Sequence, residues 1–399
     1  MSHRTTESLS SEAAAGKAGG SSSRLLSLDA FRGLTILGMI LVNNPGDWGS
    51  IYGPLAHAPW FGWTPTDLVF PFFLFIVGTS LAYSLRKYVH GAEIDAAVYR
   101  RIVRRTIVLI LLGLGMGMSY RLFSYLFGDA TSVSFSNLRY LGVLVRIALV
   151  YFAASLVVLH LGVRAQAVLG AVLLLGYWAL LGWLPNPHDY QANLSPEGNV
   201  VRVVDRAVLG ENHMYTRAQT EKTDPEGLLS TLPAIVTALL GYWTGLVIQR
   251  QGANGSTVAL LVGLGLVCFA VGWGWGFWLP IGKKLWTSSF VLLTGGLAMV
   301  VLALCLLTFD VWRWRRLARP FEIVGINAIF VFVASGLLAQ LLGIVRIGGT
   351  SAHGWLYSHL FTSWITDPKL ASLGFALATV TFWWLILWAM SRRGWSVRV

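Results

Sequence analysis

The sequence predicts an all-α polytopic membrane protein of about ten transmembrane helices, with a short interfacial segment before the last. Three observations carry that prediction. Of 399 residues, 55% are hydrophobic and 12% charged, about half the charged share of an average soluble domain. Mean hydropathy is +0.63. Apolar runs near the twenty residues that cross a hydrocarbon layer recur along the chain.

Taken in order, residues 1–23 are rich in Ser, Ala and Gly and lack an apolar core. They read as a disordered cytoplasmic tail, not a signal peptide. Residues 24–399 form one transmembrane unit. Spans are expected at 25–43, 68–86, 102–118, 140–160, 165–184, 228–248, 258–279, 286–309, 322–345 and 370–390. The aromatic run 353–366 is too short to cross and reads as interfacial or re-entrant. Cys268 and Cys305 lie inside apolar runs without metal or disulfide spacing, so they are expected to be core residues.

With ten spans, nineteen of the thirty Lys and Arg fall on the side of both termini, which is therefore cytoplasmic. A bacterial inner membrane is the expected location. The net charge of +12 then serves topology, and nucleic-acid binding drops out as a function. Loops 44–67 and 185–227 face outward.

The chemistry concentrates between Asn43 and Asp67, NNPGDWGSIYGPLAHAPWFGWTPTD, a stretch without Lys or Arg. His57 stands among Pro54, Pro59, Trp60, Trp63 and Pro65. Prolines stiffen such a loop, tryptophans favour the membrane interface, and a neutral imidazole is the natural base at physiological pH. The plain alternative is an interfacial histidine without chemical work. His188, His213, His353 and His359 have looser surroundings. No HExxH, Cys–His cluster, GxSxG or Walker loop occurs, so no metal site is expected. At membrane depth, Asp29 and Arg32 share a helix face. Arg146 needs a buried partner or an anionic ligand, and Asp67, Glu322 and Asn327 also need partners.

Several stretches together resemble the heparan-alpha-glucosaminide N-acetyltransferase family, including its bacterial relatives. They are LDAFRGLTILGMILVNN at 28–44, LAHAPWFGWTPTDLVFPFFLFIVGTS at 55–80, GVLVRIALVYF at 142–152, TDPEGLLSTLPAI at 223–235, KKLWTSSFVL at 283–292 and NAIFVFVASG at 327–336. The resemblance implies a transmembrane acyltransferase domain. It moves acetyl from cytosolic acetyl-CoA to an amino sugar on the far side. It implies His57 as the active-site histidine, with Asn43 and Asp67 beside it. Asp224, Lys283 and Trp286 match further motif positions: Asp224 joins Trp60 and Trp63 as candidates for the acceptor, and Lys283 and Trp286 join Arg104, Arg105 and Arg146 as candidates for the donor. The chain departs from the family pattern at Val145 and Phe61. Partners implied are an amino-sugar or glycan acceptor and membrane lipids, and a homodimer is compatible. Two rivals share parts of the pattern: O-acyl transfer to a glycan hydroxyl, and transport of a sugar or other small molecule.

Overall fold

The computed structural model describes residues 25–89, 91–186, 188–215 and 223–397. The tail expected at 1–23 lies outside them. Among the described residues, nine helices are long and apolar enough to cross a membrane. They are α1 (Leu26–Asn43), α2 (Pro65–Ser84), α3 (Ala96–Phe127), α4 (Val143–His160), α5 (Val163–Trp183), α7 (Thr231–Gln251), α8 (Gly255–Trp275), α9 (Ser288–Val311, its last turn π-helical) and α13 (Pro368–Arg392). A bent pair, α10 (Arg315–Ile326) and α11 (Ala328–Ile344), makes ten if counted as one span. The protein is an all-α polytopic membrane protein.

Without water to drive helices together, close van der Waals contact must do so, and small residues permit it. Three helix pairs use this device. A Cβ on Gly78 would stand 1.7 Å from the Ala238 carbonyl oxygen. One on Gly241 would stand 1.9 Å from that of Phe75. Backbones of α2 and α7 therefore touch, and Thr79 Oγ1 donates across to the Gly241 carbonyl at 3.1 Å. Gly33 and Gly325 do the same for α1 and α10, and Gly265 and Gly296 for α8 and α9.

The expected span 322–345 is corrected: the helix turns by 66° at Asn327. The half before the bend carries Arg315, Arg316, Arg319 and Glu322, which hydrocarbon would not accept, and Gly325 locks it onto α1. Asn327 Oδ1 accepts from the Val397 amide at 2.9 Å, so the polar group expected to need a partner has one. The third helix is also longer than the expected 102–118. Helix α2 begins at Pro65 rather than 68, so the loop before it ends at Thr64.

The stretch 185–227 is folded where it is described. Helix α6 (Val200–Leu209) follows a short helix Tyr190–Leu194. Fully buried Asn193 and Asn199 bind the Gly182 carbonyl and Thr223 Oγ1. Asp205 Oδ1 accepts from the amides of Leu228 and Leu229, just before α7. The segment expected to be interfacial is α12 (Ala352–Tyr357) and a π-helical turn, Ser358–Thr362. His353 Nε2 lies 3.2 Å from the Pro45 carbonyl oxygen, so this segment braces the start of the His57 loop. Cys305 is buried, Cys268 partly so, and neither is bonded to the other.

Candidate active site

The end of the bundle where α1 finishes and α2, α4, α7 and α9 begin gathers the loops 44–64, 128–142 and 276–287 and the described parts of the stretch between α5 and α7. Helix α2 starts with a capping box. The Thr64 side chain caps the helix, while Asp67, three residues on, reaches back to the Thr64 amide at 3.1 Å. That requirement of a helix end turns Asp67 towards the preceding loop. Its Oδ2 also accepts from the Ala58 amide at 3.0 Å, which pins the loop next to His57. Its Oδ1 accepts from His57 Nδ1 at 2.7 Å.

Because a carboxylate only accepts, the proton on the imidazole is held at Nδ1 and the lone pair sits on Nε2. Nε2 has no hydrogen-bond partner among the described residues, and the imidazole is 46% exposed while Asp67 is 1% exposed. A buried carboxylate thus orients an exposed imidazole whose basic nitrogen has no partner among the described residues. Lys283 completes the cluster: Nζ lies 3.5 Å from Asp67 Oδ1 and 3.3 Å from His57 Nδ1. Burial pushes the Lys283 ammonium below its ordinary range, against the pull of the Asp67 and Glu226 carboxylates.

The loop 276–287 forms the second wall. The Gly62 amide donates to the Ile281 carbonyl at 2.7 Å, and Lys284 Nζ donates to the Pro59 carbonyl. Trp286 is fully buried at φ 51°, a left-handed conformation that costs a bulky residue strain. Its indole donates to Thr237 Oγ1 and meets Phe70 edge-on at 5.1 Å. The Arg146 guanidinium lies over the same ring at 5.1 Å and donates to the carbonyls of Pro225 and Gly227 and to Ser230 Oγ. Its buried partner is thus the turn before α7.

That turn holds a second charged cluster. Asp224 is fully buried and binds Arg139 through both oxygens, at 3.2 and 2.5 Å. Glu226 binds Arg139 Nη2 at 2.5 Å and keeps 12% of its side chain exposed. Burial would raise the Glu226 carboxyl, but Arg139 and Arg146 hold it below its usual range.

Other sequence candidates lie apart. Asn43 is exposed at the end of α1, and its side chain bonds neither His57 nor Asp67. Trp60 is half-buried, its indole bonded to the Leu194 carbonyl, and Trp63 packs edge-on against Phe269 of α8. Arg104 is exposed. Arg105 lines a cavity of about 420 Å³ deeper in the bundle, with Asp29, Arg32 and Ser80 at one end and Ile36, Phe73, Leu144 and Ile147 towards the other. Arg105 Nε is buried without a partner. None of His57, Asp67 and Lys283 lines this cavity. Phe73 is less than two turns along α2 from Asp67, about 9 Å at 1.5 Å per residue, and Phe70 lies between. Arg139 and Glu226 escaped sequence reasoning, although Glu226 stands in the quoted TDPEG motif. Among the described residues no cluster of His, Cys, Asp and Glu could hold a metal ion.

Residues 24–195 match the family model described as heparan-alpha-glucosaminide N-acetyltransferase, catalytic. The protein of Homo sapiens named heparan-alpha-glucosaminide N-acetyltransferase is 28% identical over 358 residues, 78% of this chain and 52% of its own length. Its namesake in Mus musculus is 28% identical over 366 residues, 80% and 54% respectively. The chain is similar to this family over its first half by the family model and over most of its length by the two relatives. It spans about half the length of these two relatives. The family-model match covers the His57 loop, Asp67, Arg139 and Arg146, whereas Glu226 and Lys283 fall beyond it and within the longer pairwise similarity.

Proposed function

We propose that the chain is a transmembrane N-acetyltransferase. It moves acetyl from acetyl-CoA to the amino group of a glucosamine-type sugar on the extracytoplasmic side. The observation that carries this reading is the Asp67–His57 pair, with an accessible, unpartnered Nε2 on a loop at one end of a membrane bundle. Similarity to the family supplies the reaction class.

His57 Nε2 has two uses, and one lone pair serves both. It takes a proton from the neutral acceptor amine as that nitrogen attacks the thioester carbon, and passes it to the CoA sulfur as the carbon–sulfur bond breaks. Or it attacks that carbon itself, releasing the CoA thiol, and the amine then takes the acetyl from the ring. In either case Asp67 stabilises the positive ring and keeps it oriented.

The cavity supports a donor entering from the other side of the membrane. It combines an apolar length with an unpartnered guanidinium nitrogen on Arg105. The acyl-pantetheine arm matches the first and a phosphate the second. Thioester and Nε2 meet only if the acyl end passes the level of Phe70 and Trp286. Of the residues expected on the donor, Arg105 keeps that part in this proposal. Arg146, Lys283 and Trp286 support the acceptor end instead.

The test uses purified protein, acetyl-CoA and glucosamine, with N-acetylglucosamine read by mass spectrometry. Wild type forms product and a folded His57→Ala variant does not. Ordinary product formation by that variant removes His57 from the mechanism. Radiolabelled acetyl retained on the protein without acceptor selects the acetyl-histidine route, and its absence selects direct transfer.

A further inference from the structure

An amino-sugar acceptor arrives largely as an ammonium ion near neutral pH, and a partly buried carboxylate is the group that recognises one. Asp67 has no room for it. Its Oδ1 accepts from His57 and Lys283, its Oδ2 from the amides of Ala58 and Thr64, and it is 1% exposed. Asp224 is equally committed: Arg139 takes both oxygens, the Glu226 amide takes Oδ1 and the Tyr215 amide takes Oδ2.

Glu226 differs from both. Its Oε2 accepts from Arg139, while Oε1 has no partner among the described residues and is not sealed in the interior. In Asp224-Pro225-Glu226 the first carboxylate builds the turn and the second presents an open oxygen. Arg139 serves two carboxylates and leaves Oε1 of Glu226 open to a further donor, within the fields of Arg146 and Lys283. Arg146 faces the turn from behind with its donors on carbonyls and Ser230, and Asp205 stands against Gly227.

Glu226 and the His57–Asp67 pair share one support. Arg146 binds the Pro225 carbonyl and covers the Trp286 ring. The Trp286 amide closes a turn on the Lys283 carbonyl at 3.0 Å, and Lys283 Nζ reaches Asp67 and His57. Lys283 feels the field of both carboxylates, Asp67 and Glu226.

We propose that Glu226 is the anchor for the acceptor's amino group: it binds the sugar as its ammonium ion, and the nitrogen releases one proton to solvent before it reacts as the neutral amine at His57. This rests on the acetyl-transfer reading above and deepens it. It also sets amines apart from the hydroxyl acceptors of the rival O-acyl reading, since a sugar hydroxyl gains little from a carboxylate that already holds a guanidinium.

The experiment compares glucosamine with glucose, which carries a hydroxyl in place of the amine, on the purified full chain. Binding of each sugar is measured by calorimetry, and acetyl transfer by steady-state kinetics. Wild type is expected to bind glucosamine at least tenfold more tightly than glucose. Glu226→Gln is expected to erase that preference and to raise the KM for glucosamine about ten- to hundred-fold, the loss of one charge-assisted hydrogen bond, with the KM for acetyl-CoA changed less than twofold. An unchanged glucosamine KM in Glu226→Gln overturns the assignment. So does equal binding of the two sugars by wild type, which needs no variant to fold. Absence of transfer to any amino sugar by wild type defeats the parent reading instead, while the binding preference still reports on Glu226.

Discussion

A single carboxylate settles how the candidate site is built at the scale of the residue. Asp67 is required by its helix as a capping-box acid and by the loop as the acceptor for the Ala58 amide, and it sets the tautomer of His57. Asp67→Asn keeps the size but replaces an acceptor oxygen with a donor nitrogen. An Asn that keeps the Ala58 and Thr64 amides satisfied turns its NH₂ towards His57, which then carries its proton on Nε2, the wrong atom. Acetyl transfer should fall by about 10³–10⁴-fold, by analogy with the same exchange in a catalytic triad, while acetyl-CoA binding persists. Steady-state kinetics with a donor-binding assay checks this, and a loss under tenfold would show that Asp67 does not set the tautomer. Both residues stood out in the sequence, ten apart around one proline-stiffened turn, but only the family resemblance put them together. Lys283 was harder to place: the resemblance made it a donor candidate, and nothing local reveals that loop 276–287 lies against loop 44–64. Asn43 looked equivalent to Asp67 as an anchor of the loop, but the helix that ends in it leaves its side chain exposed.

At the scale of elements, apolar length made the spans readable, and the break at Asn327 was hidden because the apolar run continues through it. The cap over α7 was also hidden, since it depends on isolated polar residues that become buried. Asp205 is the clearest of these. Fully buried, with Oδ2 unpartnered, its carboxyl is raised to about 6 by burial, against the Leu229 and Leu228 amides that favour the ionised form. The folded protein therefore holds this proton more tightly than the unfolded chain, whose value is near 3.8. Its favourable contribution is present below about pH 4 and is lost as pH rises through about 6, by about 3 kcal/mol in all. Asp205→Asn keeps the acceptor for the two amides and removes the charge. Melting temperatures measured from pH 4 to pH 7 should fall more steeply in wild type than in the variant. Parallel profiles would show Asp205 titrating alike in both states.

For the whole molecule, a basic nitrogen at one end of the bundle and a 420 Å³ cavity reaching towards it from the other divide the proposed reaction between two compartments. The sequence could suggest both ends, one from a loop histidine and one from clustered arginines, but not the interval that Phe70 and Trp286 occupy, because helix register decides it. The division separates donor binding from acceptor chemistry and can be tested from the cavity alone. Ile147 lines the cavity and is distant in the chain from every residue of the His57 cluster. Ile147→Trp fills part of that space with apolar volume, at the cost of some overpacking. Coenzyme A should raise the melting temperature of wild type, because a ligand bound only by the folded state stabilises it. That rise should vanish in the variant, and the KM for acetyl-CoA should increase at least tenfold while glucosamine binds as before. A full coenzyme A response in a folded Ile147→Trp protein would place the donor elsewhere. Nε2 would then have to meet its thioester from the exposed face that the acceptor also uses, and the two-sided arrangement would lose its physical basis.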